Sequence, residues 1–244
     1  MRTFIYESGP IEIVLAGLAF FLLLYFGFGA VNIVFTRWVF PFLKIGKRIS
    51  NKHVKPEQYW RECRDSVVSI AIFSGGLLIP WGLIQLGWVG LAVRPSGTQI
   101  IFECVVLLLW NEVHFYINHR LLHTSVLRRF HTPHHRSVVT TPWTTYSLHP
   151  IEAMMVGNVI IWPMLLHDFS IEALIALPVM SLVINSASHS NYDFGLGHYG
   201  PFSRSSLRHS AHHAFYNGNY GFTFGFMDAL FGTSISKEKI ASMR

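Results

Sequence analysis

The chain has 244 residues, of which 51% are hydrophobic and only 13% charged, and its mean hydropathy is +0.36. This composition argues against a soluble domain and favours a membrane-embedded protein. The net charge of +6 does not indicate nucleic-acid binding, because the basic residues lie where a membrane topology places them. Cys63 and Cys104 imply neither a disulfide framework nor a thiolate metal site.

The first apolar stretch, residues 13–35, contains no charged residue. At about 1.5 Å per residue, a helix of this length exceeds a hydrocarbon core of about 30 Å, so one crossing is predicted. A cleaved signal peptide is the alternative, but the stretch is too long and no small-residue cleavage site follows it.

Four further apolar stretches predict more crossings: 66–93, 98–118, 151–166 and 171–187. The stretch 66–93 contains several glycines and Pro80, so it is either one long tilted helix or a broken one. The last two are short for full crossings, and we expect a tight helical hairpin whose ends are covered by protein. The predicted fold is all-α, a single multi-pass membrane bundle over residues 1–244 with a histidine-rich helical cap.

Positive charges are concentrated between alternate crossings. The segments 36–65 and 119–149 and the tail from residue 189 together hold 17 of the 19 Lys and Arg residues. If each apolar stretch crosses once, these segments share one side, and the positive-inside bias makes that side cytoplasmic. We therefore expect a protein of the bacterial inner membrane or endoplasmic reticulum whose histidine-rich cap faces the cytoplasm.

Histidines gather on that side in the motifs "HRLLH", "HTPHH", "SHSNYDF" and "HSAHH". Residues i, i+3 and i+4 share a helix face, so each spaced motif can aim its imidazoles in one direction. In "HTPHH", Pro133 suits the first helical position with Thr132 as its cap, which places His131 just before the helix. The candidate ligands are His119, His123, His131, His134, His135, His189, His209, His212 and His213.

A metal centre explains these nine histidines better than ordinary polar packing does. Buried neutral imidazoles would each need a hydrogen-bond partner, whereas neutral imidazole is the commonest metal ligand. Nine ligands exceed what one ion takes, so we expect two ions. Neither positioned thiolates nor an HExxH zinc motif occur in the sequence, and redox-active iron fits best.

The order of these motifs resembles the sterol desaturase/fatty acid hydroxylase superfamily of membrane di-iron enzymes. The resemblance runs from about Trp110 to Thr233. Within it, "HPIE" at 149–152 and "GNYGFTFGFMDALFGT" at 218–233 are similar to the sterol C-4 methyl oxidases. The resemblance implies that the nine histidines are iron ligands.

The chain differs from one branch of that superfamily at the position of a tenth ligand. The fatty-acid 2-hydroxylase branch has a paired H-x-x-x-H where this chain has Asn185 and His189, so His149 of "HPIE" becomes the candidate. Alternatively, His149 supports another ligand or faces the substrate. The remaining histidines are predicted to lie outside the centre; they are His53, His114, His167 and His198.

Carboxylates beside the motifs are candidates for orienting the ligands. Ligating histidines usually donate their second ring N–H to a carboxylate or a carbonyl. Glu112, Glu152 and Asp193 are predicted to accept such bonds. Asp228 is either a further acceptor or a solvated charge at a helix end.

The resemblance implies an enzyme that uses O2 and two iron ions to hydroxylate or desaturate an unactivated C–H bond of a lipid, either sterol-like or fatty-acyl. No nucleotide-binding fingerprint follows a predicted strand, so we expect electrons from a separate carrier, a b-type cytochrome or a ferredoxin with its reductase. A histidine-rich membrane metal transporter or metal-binding protein is the alternative, although transporters place ligands near the bilayer midplane. A membrane hydrolase is a weaker third, since no serine or cysteine nucleophile motif is visible.

Overall fold

Four helical stretches are long and apolar enough to cross a membrane in the part of the chain that the structure describes. The structure is a computed structural model and describes residues 1–195 and 201–243, with side chains from residue 205 onward in the second stretch. The four stretches are Pro10–Phe42, Pro56–Gln85, Gly97–Leu122 and Ile171–Ser188. The expected all-α, multi-pass membrane fold is confirmed.

Short helices and one pair of short strands connect the crossings. The α-helices are α1 (Arg2–Glu7), α2 (Pro10–Val34), α3 (Phe40–Phe42), α4 (Pro56–Gly76), α5 (Leu78–Gln85), α6 (Gly97–Leu122), α7 (Arg128–His135), α8 (Pro150–Gly157), α9 (Ile161–Met164), α10 (Ile171–Ser188), α11 (Pro201–Phe215), α12 (Phe226–Leu230) and α13 (Lys237–Ala241). A π-helical stretch, Phe35–Val39, joins α2 to α3, and a 3₁₀ helix covers Pro142–Tyr146. Strands β1 (Lys47–Arg48) and β2 (Tyr192–Asp193) pair antiparallel.

The long helices begin at residues that suit a first turn, where the backbone N–H groups have no partner within the helix. α2 and α4 start with Pro10 and Pro56, and a proline loses no hydrogen bond at the first helical position. α6 and α10 are capped by Ser96 and Ser170, whose hydroxyls accept a bond from the backbone N–H three residues later, at 3.1 and 3.3 Å. These caps set where each apolar helix starts.

The second crossing is one nearly continuous helix. α4 and α5 are interrupted only at Leu77, which keeps a helical backbone with φ of −62° and ψ of −18°. Pro80 lies in the first turn of α5, where its missing N–H is tolerated. The helix ends at Gln85, before residue 93, because Gly87 takes a left-handed φ of 71° and turns the chain.

The expectation of a single span over 151–166 is wrong. The segment folds as α8 and α9, separated by a turn around Asn158 and Val159, and Pro163 lies inside α9. The Val159 carbonyl accepts a hydrogen bond from the Trp110 indole at 2.8 Å, which satisfies one broken backbone group. The expected hairpin is also wrong: α8 packs mainly against α4 and α6, whereas α10 packs mainly against α6, α11 and α2.

Two buried apolar clusters join the crossings. One lies at the end remote from the histidine motifs and includes Leu107 of α6 and Leu177 of α10. The other joins α2 to α4 through Tyr25 and Ile70. The Tyr25 hydroxyl donates a hydrogen bond of 2.8 Å to the carbonyl of Trp143, which attaches the 3₁₀ helix to the first crossing.

Glu62 attaches α4 to the segment that follows the second histidine motif. Its buried carboxylate accepts hydrogen bonds from the hydroxyls of Ser137, Thr141 and Thr144 at 2.6, 2.5 and 2.9 Å. The side-chain amide of Gln58 donates a fourth, at 2.8 Å. A buried carboxylate is stable when donors surround it in this way, so Glu62 holds the polypeptide between α7 and α8 in place.

Replacing Glu62 with alanine is expected to lower the free energy of unfolding by at least about 2 kcal/mol, because it leaves several buried hydroxyls without an acceptor. Thermal melting of the purified protein in detergent measures the loss. Glu57→Ala is the matched control, since Glu57 is an exposed carboxylate in the first turn of the same helix. Equal melting temperatures for the two variants would show that the Glu62 network contributes nothing.

Candidate metal centre

All nine predicted ligands converge at one end of the bundle, and they form two adjacent groups. The side-chain nitrogens within each group lie within 4.8 Å of one another. The five-histidine group consists of His119, His123, His131, His135 and His212. The four-histidine group consists of His134, His189, His209 and His213. Eight of these residues are buried, and His123 is half-buried.

Helix α7 differs from the prediction for the "HTPHH" motif. It begins at Arg128, five residues before Pro133, so the proline lies inside the helix and His131 is helical. The helix tolerates Pro133 because the proline removes only one backbone hydrogen bond, the one to the carbonyl of Arg129, and the helix ends two residues later at His135. His131 and His135 therefore share one face at i and i+4.

Neighbouring histidines of one helix belong to different groups. On α7, His134 points into the four-histidine group and His135 into the five-histidine group. On α11, His212 and His213 divide in the same way. Successive helical residues point about 100° apart, so each of these helices lies between the two groups and contributes to both.

In both groups the Nε2 atoms point inward and face one another. Within the five-histidine group, the Nε2 atom of His131 lies 3.1 Å from that of His119 and 3.0 Å from that of His135. Within the four-histidine group, the Nε2 atom of His209 lies 2.9 Å from that of His189 and 3.2 Å from that of His213. Each centre is thus a cluster of ring nitrogens.

The outward Nδ1 atoms settle which nitrogen carries the proton. Four Nδ1 atoms lie 2.7–3.2 Å from a backbone carbonyl oxygen, which can only accept a hydrogen bond. The pairs are His119 with Tyr220, His134 with Ser147, His189 with Asn185, and His212 with Gly218. A neutral imidazole has one N–H, so Nε2 of each of these rings carries a bare lone pair.

Bare lone pairs consequently face each other across both groups. The Nε2 atoms of His134 and His189 lie 3.4 Å apart with no proton available between them. His119 and His131 repeat this at 3.1 Å, because Nδ1 of His131 lies 2.7 Å from the carboxylate of Glu152 and donates to it. Such contacts repel unless a cation lies between the nitrogens, which is the arrangement of a metal site.

The spacing of these atoms also fits ligands of a shared ion. Within each group, facing Nε2 atoms are 2.9–3.4 Å apart. Two nitrogens at about 2.1 Å from one ion, at angles of about 90–110°, lie about 3.0–3.4 Å apart. An all-imidazole donor set suits iron, copper or zinc. The residues therefore fit the expected iron, but they fit the other two metals as well.

Burial keeps the histidines in the form that binds a metal. It lowers the pKa of His134 to about 4 and the pKa of His189 to about 3. Burial, followed by the nearby His119 ring, lowers the pKa of His123 to about 3. These values lie well below the usual value of about 6.5, so the imidazoles are neutral at physiological pH.

The predicted carboxylates divide by what they contact. The Glu152 carboxylate lies 2.7 Å from Nδ1 of His131 and accepts its hydrogen bond. Glu112 instead accepts backbone N–H bonds from Phe222 and Thr223 at 3.0 and 2.7 Å, because the loop after α11 crosses its carboxylate. It orients the centre through that loop and not through a ring.

Asp228 and Asp193 lie further from the rings. Asp228 is buried and accepts the backbone N–H bonds of Tyr220 and Gly221, both at 2.8 Å, so it fixes the carbonyl that orients His119. It is therefore not a solvated charge. Asp193 lies in β2, accepts a bond of 3.3 Å from the N–H of Gly195, and belongs to neither histidine group.

Histidines outside the two groups have other contacts. His149 caps α8, where its Nδ1 accepts the N–H of Ile151 at 3.2 Å, and its role as a tenth ligand stays a prediction. Nε2 of His114 lies 2.7 Å from the side-chain oxygen of Asn158. His167 lies 3.2 Å from Glu103, remote from the centre, and His53 is exposed. His198 falls outside the described residues.

The family to which this site belongs follows from comparison with known proteins. Residues 104–233, more than half of the chain, match the model of the fatty acid hydroxylase family. The matched stretch contains both histidine groups in full. The chain belongs to the fatty acid hydroxylase family.

This fatty acid hydroxylase family member is similar to fungal sterol enzymes. It is 24% identical over 214 residues to a Delta(7)-sterol 5(6)-desaturase of Aspergillus fumigatus and 28% identical over 158 residues to a methylsterol monooxygenase of the same fungus. It is 26% identical over 156 residues to a Delta(7)-sterol 5(6)-desaturase of Saccharomyces cerevisiae. The matches cover 75%, 62% and 59% of this chain but only 65%, 53% and 41% of the relatives. No solved structure matches the chain.

An apolar cavity of 780 Å³ reaches both histidine groups of this family member. Its walls come mainly from apolar side chains of α1, α2, α5, α8 and α10. Among the histidines that line it are His119 and His131 of the five-histidine group and His134 and His189 of the four-histidine group. A molecule in this cavity would therefore meet both groups at one end and hydrocarbon-like walls elsewhere.

Sequence patterns missed the main-chain carbonyls that orient the rings. Ser147 and Asn185 belong to no ligand motif, and every residue carries a carbonyl, so nothing distinguishes them in a sequence. Gly218 and Asn219 are the exception, because a Gly-Asn pair is typical of a turn. Both take a left-handed φ, of 84° and 55°, and the turn directs the Gly218 carbonyl to His212.

Proposed function

We propose that this chain is an O2-dependent membrane oxidoreductase that hydroxylates or desaturates an unactivated C–H bond of a lipid. The two histidine groups would each hold one iron ion. The observation that carries the proposal is the set of Nε2 lone pairs that face one another without a proton. They lie at the end of an apolar cavity large enough for a lipid.

The side chains have defined parts in this chemistry. Two ferrous ions would supply what no side chain can, the activation of O2 and the removal of hydrogen from an unactivated carbon. Glu152 and the four carbonyls keep the ring protons on Nδ1, which leaves each Nε2 free to bind. The burial of eight of the nine histidines and the apolar walls exclude water from the reacting carbon.

The cavity supports a lipid as the substrate. Its 780 Å³ lies within the range of about 300–1,000 Å³ typical of small-molecule sites. Its apolar walls offer few partners to a polar compound, and both sterol-like and fatty-acyl molecules fit that chemistry. The names of the relatives favour a sterol-like substrate.

We infer further that the histidine groups face the cytoplasm and receive electrons from a separate, acidic carrier such as a b-type cytochrome or a ferredoxin. The positive-inside bias supports this orientation, because the sequence segments 36–65, 119–149 and the tail from residue 189, which contain the histidine motifs or adjoin them, hold 17 of the 19 Lys and Arg residues. A metal transporter is less well supported, since both groups lie at helix ends and transporters bind near the bilayer midplane.

Metal and product analysis tests the proposal. Protein purified without oxygen from iron-replete cells is expected to hold about two iron ions per chain, since each group offers a full imidazole set. Given cell lipids, O2 and a reduced b-type cytochrome, it should yield a hydroxylated or desaturated lipid detectable by mass spectrometry, and none without the cytochrome. A single zinc ion would contradict the di-iron centre, whereas two iron ions without any lipid product would contradict the activity.

A further inference from the structure

A basic groove lies where the first crossing ends. Its outer part has a volume of 580 Å³ and is lined by the π-helical stretch, the turn after α3, β1 and Tyr192. Its inner part, of 420 Å³, shares Arg37 and Arg48 with the outer part and continues to Thr140. We call the two parts together the basic groove.

The basic groove is lined by five cationic side chains. The cations that line it are Arg37, Lys44, Lys47, Arg48 and Lys52. Among the described residues that line either part, none is acidic. None of these cations has a carboxylate within ion-pair distance in the described part of the chain, although Arg37 donates a hydrogen bond of 2.9 Å to the Tyr59 hydroxyl. Such a surface attracts an anion.

The inner end of the groove contains a buried hydroxyl without a partner. Thr140 is only 3% exposed, and its Oγ1 forms no hydrogen bond with any residue that the structure describes. Its Oγ1 has almost no accessible surface, so the groups that can reach an anion in the groove are the cations and not this hydroxyl. A phosphate oxygen would accept charge-assisted hydrogen bonds from their guanidinium and ammonium groups.

The membrane-facing rim of the groove is apolar. Trp38, Phe42 and Leu43 are 63%, 85% and 54% exposed and lie at the end of the first crossing. Tryptophan is enriched at the level of lipid headgroups. The π-helical turn that carries Arg37 and Trp38 is of a kind often found at functional sites. An anion with attached acyl chains would use both the cations and this rim.

We propose that the basic groove binds the phosphate headgroup of an anionic phospholipid from the surrounding bilayer. Basic pockets at the ends of membrane helices suit such headgroups, and the Arg37 and Arg48 guanidinium groups match phosphate oxygens in geometry. The proposal does not rest on the lipid-oxidising activity.

Binding in the groove would also stabilise the segment that carries His189. The Tyr192 hydroxyl donates to the carbonyl of Ile45 at 2.6 Å. Asn191 and Ser50 exchange two hydrogen bonds, each of 2.9 Å. A headgroup held between the first crossing and β1 would reinforce these contacts, and we expect it to raise the melting temperature of the protein.

Lipid retention measured by native mass spectrometry tests the proposal. The full chain is released from phosphatidylcholine vesicles that contain a minor fraction of phosphatidylglycerol. The parent protein should retain phosphatidylglycerol in preference to phosphatidylcholine. The Lys47→Gln/Arg48→Gln variant should retain at least about tenfold less phosphatidylglycerol than the parent. The matched control is Lys55→Gln/Lys237→Gln, which removes two exposed cations outside the groove and should behave like the parent.

Three other results would overturn the proposal. In the first, the groove variant retains phosphatidylglycerol as well as the control does. In the second, glycerol 3-phosphate displaces the lipid at matched concentration, which would assign the groove to a soluble phosphate compound. In the third, lipid retention is unchanged while the groove variant alone loses reduction by an acidic cytochrome, which would make the groove a carrier-docking surface. Melting curves without phosphatidylglycerol verify that both variants fold like the parent.

Discussion

Replacing His134 with alanine is expected to lower the bound iron from about two ions to about one and to abolish turnover, and His135→Ala is expected to do the same at the other group. Each change removes one nitrogen from a set of four or five imidazoles. The two residues are sequence neighbours but belong to different groups, so each variant should keep the ion that the other loses. Metal analysis of the purified variants, with Mössbauer spectra of the remaining iron, measures this.

Two other histidines serve as controls. His167→Ala should keep both ions and its turnover, because His167 lies beside Glu103, away from the centre. His149→Ala should keep both ions and lose only stability, about 1 kcal/mol for a helix cap. Loss of an ion from His149→Ala would instead establish His149 as the tenth ligand. Equal loss of iron in all four variants would mean that the histidines act through folding.

Replacing Glu152 with alanine is expected to reduce iron affinity or turnover by roughly 10–100-fold while leaving all nine histidines in place. Its carboxylate lies 2.7 Å from Nδ1 of His131, and both side chains are buried. Without this acceptor the His131 proton can move to Nε2, the atom that must bind. Competition with a chelator at matched protein folding measures the affinity.

Graded variants separate this orienting role from simple packing. Glu152→Gln keeps an oxygen that can accept from Nδ1, so it should retain more affinity than Glu152→Ala. Glu172→Gln is the control, since Glu172 is an exposed carboxylate in the first turn of α10. If Glu152→Gln and Glu152→Ala lose the same affinity, the hydrogen bond is not what orients His131.

The convergence of the nine histidines was predictable, but their division between two groups was not. Spacings of three and four residues bring side chains to one helix face wherever the helix begins, so the nine histidines could be read from the motifs. Which ring points where depends on the helical phase. Pro133 suggested a helix start that the structure places at Arg128, and this shift joins His131 to His135.

Hydropathy alone gave a wrong prediction for residues 151–166, which help to form the cavity. Residues 151–166 are apolar enough to suggest a crossing, yet the helix breaks at Asn158 and Val159, since the Trp110 indole can satisfy the exposed Val159 carbonyl. A sequence does not show which side chain from another helix will meet a broken turn. The same limit applies to Ser147 and Asn185, whose backbone carbonyls accept hydrogen bonds from His134 and His189.

The placement of adjacent histidines in different groups has a mechanical consequence. His134 and His135, and likewise His212 and His213, are joined by covalent bonds, with consecutive Cα atoms about 3.8 Å apart. The peptide backbone therefore links the two groups at two points, on α7 and on α11. When the bilayer thins or the crossings tilt, these two links limit how far one group can move from the other. The distance between the two histidine groups should then change less than the spacing of the crossings in membranes of different thickness.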